Sequence, residues 1–169
     1  MAKRYPEILG ASLVDARDWV DDNREDGADC PCCGQYVKLY KRPINAAMCH
    51  ALLLMVKAEA DGETDEKGWV HVPSLLSRKT ASTTSRGGDF AKLRYWGLLE
   101  ESGDVRDDGS PRAGFWRVTA SGFNFAEKRL KVRKYALVYN GDCLGFEGPV
   151  IGIILCLGRK FDYNEILGL

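Results

Sequence analysis

Apolar positions recur along this chain in several rhythms, and each rhythm predicts a different element. From Ala46 to Ala60 (AAMCHALLLMVKAEA) polar residues barely interrupt the run. Met48, Leu52, Met55 and Val56 share one helical face there, and Cys49 and Leu53 widen it. Asn45 stands where an N-cap belongs, and Asp61-Gly62 stop the run. This is the expected first and most buried helix of the fold, with Met and Leu as core. A second amphipathic helix is predicted over residues 5–23. Ser12 is its candidate N-cap, and Leu13, Ala16 and Val20 line one face beside Trp19. Asp15, Arg17, Asp18 and Asp21 fall elsewhere on it.

The pattern is most informative between His71 and Thr119. Val72–Leu76 is a short apolar segment with Pro73 in a position that a first helical turn tolerates. A hydroxyl-rich run, residues 78–86, leads into Asp89–Trp96, where Phe90, Leu93 and Trp96 recur at helical spacing and Gly97 supplies a stop. Two strand-like runs follow, Leu98–Glu101 and Gly114–Thr119, joined by a loop rich in Asp, Gly, Ser and Pro. Trp69 and Val70 are expected to form a short strand beside this hairpin. Residues 61–68 are a solvated loop.

The order is short helix, turn, second helix, β-hairpin. Together with LRYWGLLEE and GFWRVTASG it resembles the winged helix-turn-helix family. That resemblance implies an α+β fold in which Asp89–Trp96 is a recognition helix and the hairpin is a wing. Around this centre the reading places three segments: residues 1–40 with the N-terminal helix and a cysteine knuckle, 41–134 as the winged helix-turn-helix, and 135–169 as a C-terminal extension. In the last of these, Tyr135–Tyr139 and Asp142–Phe146 flank Asn140-Gly141, a type I′ hairpin signal. An apolar run follows, and FDYNEIL predicts a closing helix. Ser121–Lys128 reads as a short helix carrying Phe123 and Phe125.

Charge sharpens this division. The chain has 169 residues and a net charge of zero, but residues 41–134 hold seventeen basic and twelve acidic side chains, a local excess of five. Residues 1–29 hold four basic against eight acidic. The positive charge thus sits with the segment expected to meet nucleic acid. Lys79, Thr83, Thr84, Ser85 and Arg86 precede or open the recognition helix, while Lys92 and Arg94 lie off its apolar face. Arginines read guanine edges, and hydroxyls and lysines hold phosphates. Arg112 and Arg117 add cations on the wing. Against them stand Glu100, Glu101, Asp104, Asp107 and Asp108, which phosphates would repel. Duplex DNA is therefore the first expected partner. A protein-binding winged helix that inhibits or recruits host machinery is the alternative, and a merely solvated charged face is the plainest reading.

Cys30-Pro-Cys-Cys33-Gly34 has the spacing of half a zinc ribbon, since a Cys-x-x-Cys turn before glycine aims two thiolates at one metal. A structural zinc takes four ligands, and the chain has no second Cys-x-x-Cys. Cys49, His50 and His71 are the candidate completions. Cys49 and His50 diverge by about 100° on a helix, so they poorly serve one ion. A metal-free turn is the simpler reading, zinc shared by two chains a further one, and a homodimer is compatible with both. No other cofactor is expected. The polar N-terminus lacks a signal-peptide core, and Pro149–Gly158 is too short to span a bilayer. The cysteines therefore read as reduced, cytoplasmic thiols. No phosphate loop or nucleophile–base arrangement suggests an enzyme, and with only two histidines candidates for acid–base work are few.

The segments CPCCGQYVKLYKRP, GGDFAKLRYWGLLEE, GFWRVTASG, KYALVYNGDCLGFEG and GRKFDY resemble those of phage- and prophage-encoded proteins, a likeness running from about residue 27 to 163. It implies a small phage protein at work in a bacterial cytoplasm, in keeping with regulation of transcription, and it supplies no activity.

Overall fold

The computed structural model describes residues 11–111 and 113–169. In chain order these form helix α1 (Leu13–Asn23), strands β1 (Ala28–Asp29), β2 (Tyr36–Val37) and β3 (Tyr40–Pro43), helix α2 (Ala46–Ala60) and strand β4 (Val70–His71). Helices α3 (Val72–Lys79) and α4 (Thr83–Arg86) follow, then a 3-10 helix (Gly88–Trp96), strands β5 (Leu99–Glu101) and β6 (Phe115–Val118), and helix α5 (Ala120–Ala126). Strands β7 (Val132–Tyr139) and β8 (Asp142–Ile151) and helices α6 (Ile153–Leu157) and α7 (Tyr163–Leu167) complete the chain. The fold is a mixture of helices and small antiparallel sheets, in the α+β class. None of the helices among the described residues is long and apolar enough to cross a membrane.

The chain divides into two compact units. One takes the described part of residues 1–42 with residues 136–146. The other takes Pro43–Tyr135 with Glu147–Leu169. The stretch 147–169, expected to belong to a separate C-terminal extension, thus folds with the central segment.

Helix α2 organises the second unit. The Asn45 side chain accepts a hydrogen bond from the Met48 N–H at 3.0 Å and starts the helix where the sequence placed it. Residues 47–55 are all buried, so α2 is covered around its whole circumference. Helices α3 to α7, the 3-10 helix and β6 pack on it. β4, β6 and β5 form a sheet in that order, with Val70 opposite Trp116 and Leu99 opposite Val118. Pro73 lies in the first turn of α3, whose N-cap is His71, with Nδ1 accepting from the Ser74 N–H.

One element differs in kind from its expectation. Gly88–Trp96 is a 3-10 helix. Phe90, Leu93 and Trp96, all buried, are spaced by threes. At three residues per turn such positions stack in one line, whereas in an α-helix each would fall back by about 60°. Gly97 ends the element in the left-handed region at φ 67°, as expected of a C′ glycine. After the hairpin, α5 lies against the chain at Leu98. Thr119 N–H donates to the Leu98 carbonyl at 3.1 Å. A Cβ on Gly122 would stand 2.2 Å from that same oxygen, so only glycine fits there.

In the first unit, Ser12 and Asp15 form a reciprocal capping box at the start of α1. Residues 11 and 12 are not helical, and residues 5–10 of the expected helix lie outside the described residues. Ala16 and Val20 are buried, but Leu13 is 72 % exposed, so the apolar face is narrower than its spacing suggests. β1 and β2 pair antiparallel around the cysteine turn. The turn between β7 and β8 has Asn140 and Gly141 at φ 50° and 84°, the two positive values of a type I′ turn. β3, β7 and β8 are hydrogen-bonded in that order.

Candidate nucleic-acid interface

Among the described residues, the expected contact residues are exposed or partly exposed with one exception. Ser82 caps α4, its hydroxyl accepting from the Ser85 N–H at 3.3 Å. This sets Thr83, Thr84 and Arg86 outward, all exposed. Ser85 turns inward instead. It is 1 % exposed, and its hydroxyl pairs with Nδ1 of His50 on α2 at 2.8 Å. The sequence grouped Ser85 with the contact residues. In the fold it fastens the hydroxyl-rich turn to the central helix. His50 also stacks on Phe161, with ring centroids 4.0 Å apart. Burial holds the imidazole below its usual pKa, so the pair is favoured in its neutral form.

Arg86 reaches across its own turn, Nη2 donating to the Ala81 carbonyl at 3.4 Å. Lys160 joins this surface from the turn after α6, with Nζ donating to Thr84 Oγ1 at 3.2 Å. Thr84 and Lys160 line an open cavity of about 520 Å³ together with Asn45, Gly87, Gly88 and Asp89. The sequence singled out Thr84 but not Lys160. Its only local signal is the motif GRKFDY, and nothing in the linear order places it beside position 84.

Among the described residues, the other basic candidates each meet a carboxylate. Lys79 and Arg78 share Glu63, Arg78 at 3.0 Å. These two partners hold the Glu63 carboxyl below the usual carboxylate range. Lys92 pairs with Asp89 at 2.6 Å. Arg94 lies 3.6 Å from Glu101 and over the Tyr95 ring. Arg117 pairs across the hairpin with Glu100 at 2.8 Å, and its guanidinium stacks over Trp69 at 4.6 Å. Arg112 lies outside the described residues.

The loop between β5 and β6 is closed by its own bonds. Ser102 N–H donates to the Phe115 carbonyl at 2.9 Å, and Val105 bridges Pro111. Asp108 accepts from both the N–H and the hydroxyl of Ser110, which holds its carboxyl below the usual value. Asp104, Asp107 and Asp108 are exposed at the tip.

The cysteine turn belongs to the other unit. Gly34 N–H donates to the Cys30 carbonyl at 2.8 Å, and Gly34 takes φ 72°. The backbone N–H groups of Cys32 and Cys33 are directed at the Cys30 sulfur, and its thiol lies below the usual range for that reason. A structural zinc takes four ligands, so the Cys30 and Cys33 thiols could be only two of a set. Among the described residues no group of three or more His, Cys, Asp and Glu is arranged to hold a metal ion. Cys49, His50 and His71, the candidate completions, are hydrogen-bonded to Cys156, Ser85 and Ser74.

No protein-family model, curated protein or solved structure matches this chain.

Proposed function

We propose that residues 41–134 form a winged helix-turn-helix and that the protein binds duplex DNA, as a regulator of transcription, through α4, the 3-10 helix and the turn that contributes Lys160. The order helix, strand, helix, helix, hairpin and the strand order β4-β6-β5 support the family. The observation that carries the DNA reading is the exposed set Thr83, Thr84 and Arg86 beside Lys160, hydroxyls and cations on one surface. Such groups hold phosphates, and an arginine among them can reach a base edge. The ion pairs of Lys92 and Arg94 are surface pairs, worth about 0–1 kcal/mol each, so a phosphate can displace the carboxylate.

A second reading is a protein-binding winged helix acting on host machinery. The neutralisation of Lys79, Lys92, Arg94 and Arg117 by carboxylates and the acidic loop tip favour it. Titration of purified protein against random-sequence duplex at several salt concentrations separates the two. The DNA reading requires binding that strengthens steeply as salt is lowered. No affinity at low salt, with a bacterial partner captured equally with and without nuclease, would establish the rival.

A further inference from the structure

Helix α6 brings Cys156 against Cys49 of α2. The two sulfurs are 2.9 Å apart, with the Cys49 thiol as donor, although the residues are 107 positions apart in the chain. Their surroundings differ sharply. Cys49 is completely buried. Cys156 is half-buried and lies in the wall of an open cavity of about 490 Å³, lined also by Pro43, Lys134, Pro149 and Leu155. One sulfur is therefore open to a small solute while its neighbour, in hydrogen-bonding contact, is sealed from it.

We propose that Cys156 and Cys49 are a peroxide-sensitive pair, with Cys156 the site of oxidation and Cys49 the resolving thiol that closes a disulfide between α6 and α2. The electrostatics agree with this division of roles. The hydrogen bond from Cys49 and then the charge of Lys134 hold the Cys156 thiol below its usual range, although burial opposes them. The shared hydrogen bond and burial push the Cys49 thiol well above it. The thiolate is the nucleophile in such chemistry, so reaction begins at Cys156. Its sulfur attacks one oxygen of hydrogen peroxide, the O–O bond breaks, and hydroxide leaves with a sulfenic acid at Cys156. Cys49 then attacks that sulfur, the S–O bond breaks, and the Cys49 proton leaves with the hydroxyl as water. Two thiols and one peroxide give one disulfide and two waters.

The test treats the full chain with hydrogen peroxide, denatures it in an alkylating reagent and maps the cysteines by mass spectrometry. The expected product carries two alkylated thiols fewer than the six of the reduced chain, and contains a Cys49–Cys156 cross-linked peptide. In Cys49→Ser the sulfenic acid should persist at Cys156 and be trapped by dimedone. Lys134→Gln should slow the cross-link. Alkylation of both Cys49 and Cys156 at a peroxide dose that has already oxidised the exposed Cys32 or Cys33 would overturn the proposal. So would dimedone labelling of Cys49 in place of Cys156. The wild-type map decides the question even where a variant fails to fold.

Discussion

The indole N–H of Trp96 donates to the carbonyl of Arg133 at 2.7 Å. The last residue of the 3-10 helix is thereby tied to the start of β7, and the ring closes the apolar line begun by Phe90 and Leu93. Trp96→Ala should cost roughly 3–5 kcal/mol, the range for truncating a large buried aromatic. Trp96→Phe keeps most of the packing but strands the carbonyl, and should cost about 1–3 kcal/mol. Denaturant unfolding of the two variants measures both. Equal midpoints for wild type and Trp96→Phe would show that the hydrogen bond contributes nothing.

Gly122 marks a close approach that no side chain can share. In Gly122→Ala the new Cβ meets the Leu98 oxygen and the Val118 side chain at 2.2 and 2.7 Å, so α5 must move off the strand. A destabilisation of about 1–3 kcal/mol is expected from such overpacking. Gly88→Ala is the control, because its Cβ meets nothing within 4 Å. Unfolding curves that shift alike for the two variants would refute the close approach.

His50 predicts a pH dependence whose sign follows from burial. Its folded pKa is lowered from the ordinary value near 6.5. Below that value the unfolded chain binds a proton that the folded chain refuses, so stability falls as pH decreases. The loss starts near pH 6.5 and is complete once the pH passes the lowered folded value. The Glu63, Asp15 and Asp108 carboxyls, also lowered, act at more acidic pH. The melting temperature should therefore drop between pH 7 and 5 in wild type, and this step should vanish in His50→Asn against that variant's own baseline. A step of unchanged size in the variant would assign it to another group.

The cysteine turn predicts metal content. If Cys30 and Cys33 hold a structural zinc as two of its four ligands, the content is one ion per chain, or one per two chains where two copies share it. Cys30→Ser should release it and destabilise the turn, whereas Cys32→Ser should retain it. Elemental analysis of protein purified without chelator gives the stoichiometry. Metal-free wild type, unaltered in stability by Cys30→Ser, would leave the turn as a simple loop.

The proposed interface predicts distinct effects of charge. Replacing Arg86 and Arg94 together should weaken duplex binding while leaving stability within about 0.5 kcal/mol, since both are exposed. Removing a cation that holds one phosphate should reduce the salt slope by about 0.9, and removing one that reads a base should relax sequence preference. Asp107→Asn with Asp108→Asn should strengthen non-specific binding where the loop lies near phosphates. Ser85→Ala should act through stability instead, because it removes the partner of buried His50.

Some of this was legible along the chain because its causes are local. The Asn45 cap and Asp61-Gly62 stop set α2 to the residue, Pro73 opens α3, Gly97 ends the 3-10 helix, and Asn140-Gly141 closes the β7–β8 turn. Each depends on the dihedral and hydrogen-bonding habits of a few neighbouring residues. The three-residue spacing of Phe90, Leu93 and Trp96 was visible too, but a short apolar line fits either helix type until packing selects one. What only the tertiary structure decided are the pairings between distant residues. Ser85 faces inward because His50, 35 positions earlier, is buried and needs a polar partner. Lys160 reaches Thr84 across 76 positions, and Cys156 reaches Cys49 across 107. The apolarity of α2 on every side demands that later helices cover it, but it does not say which side chains they bring. That choice depends on how the covering helices pack, and it decides which polar groups stay at the surface and which are sealed in.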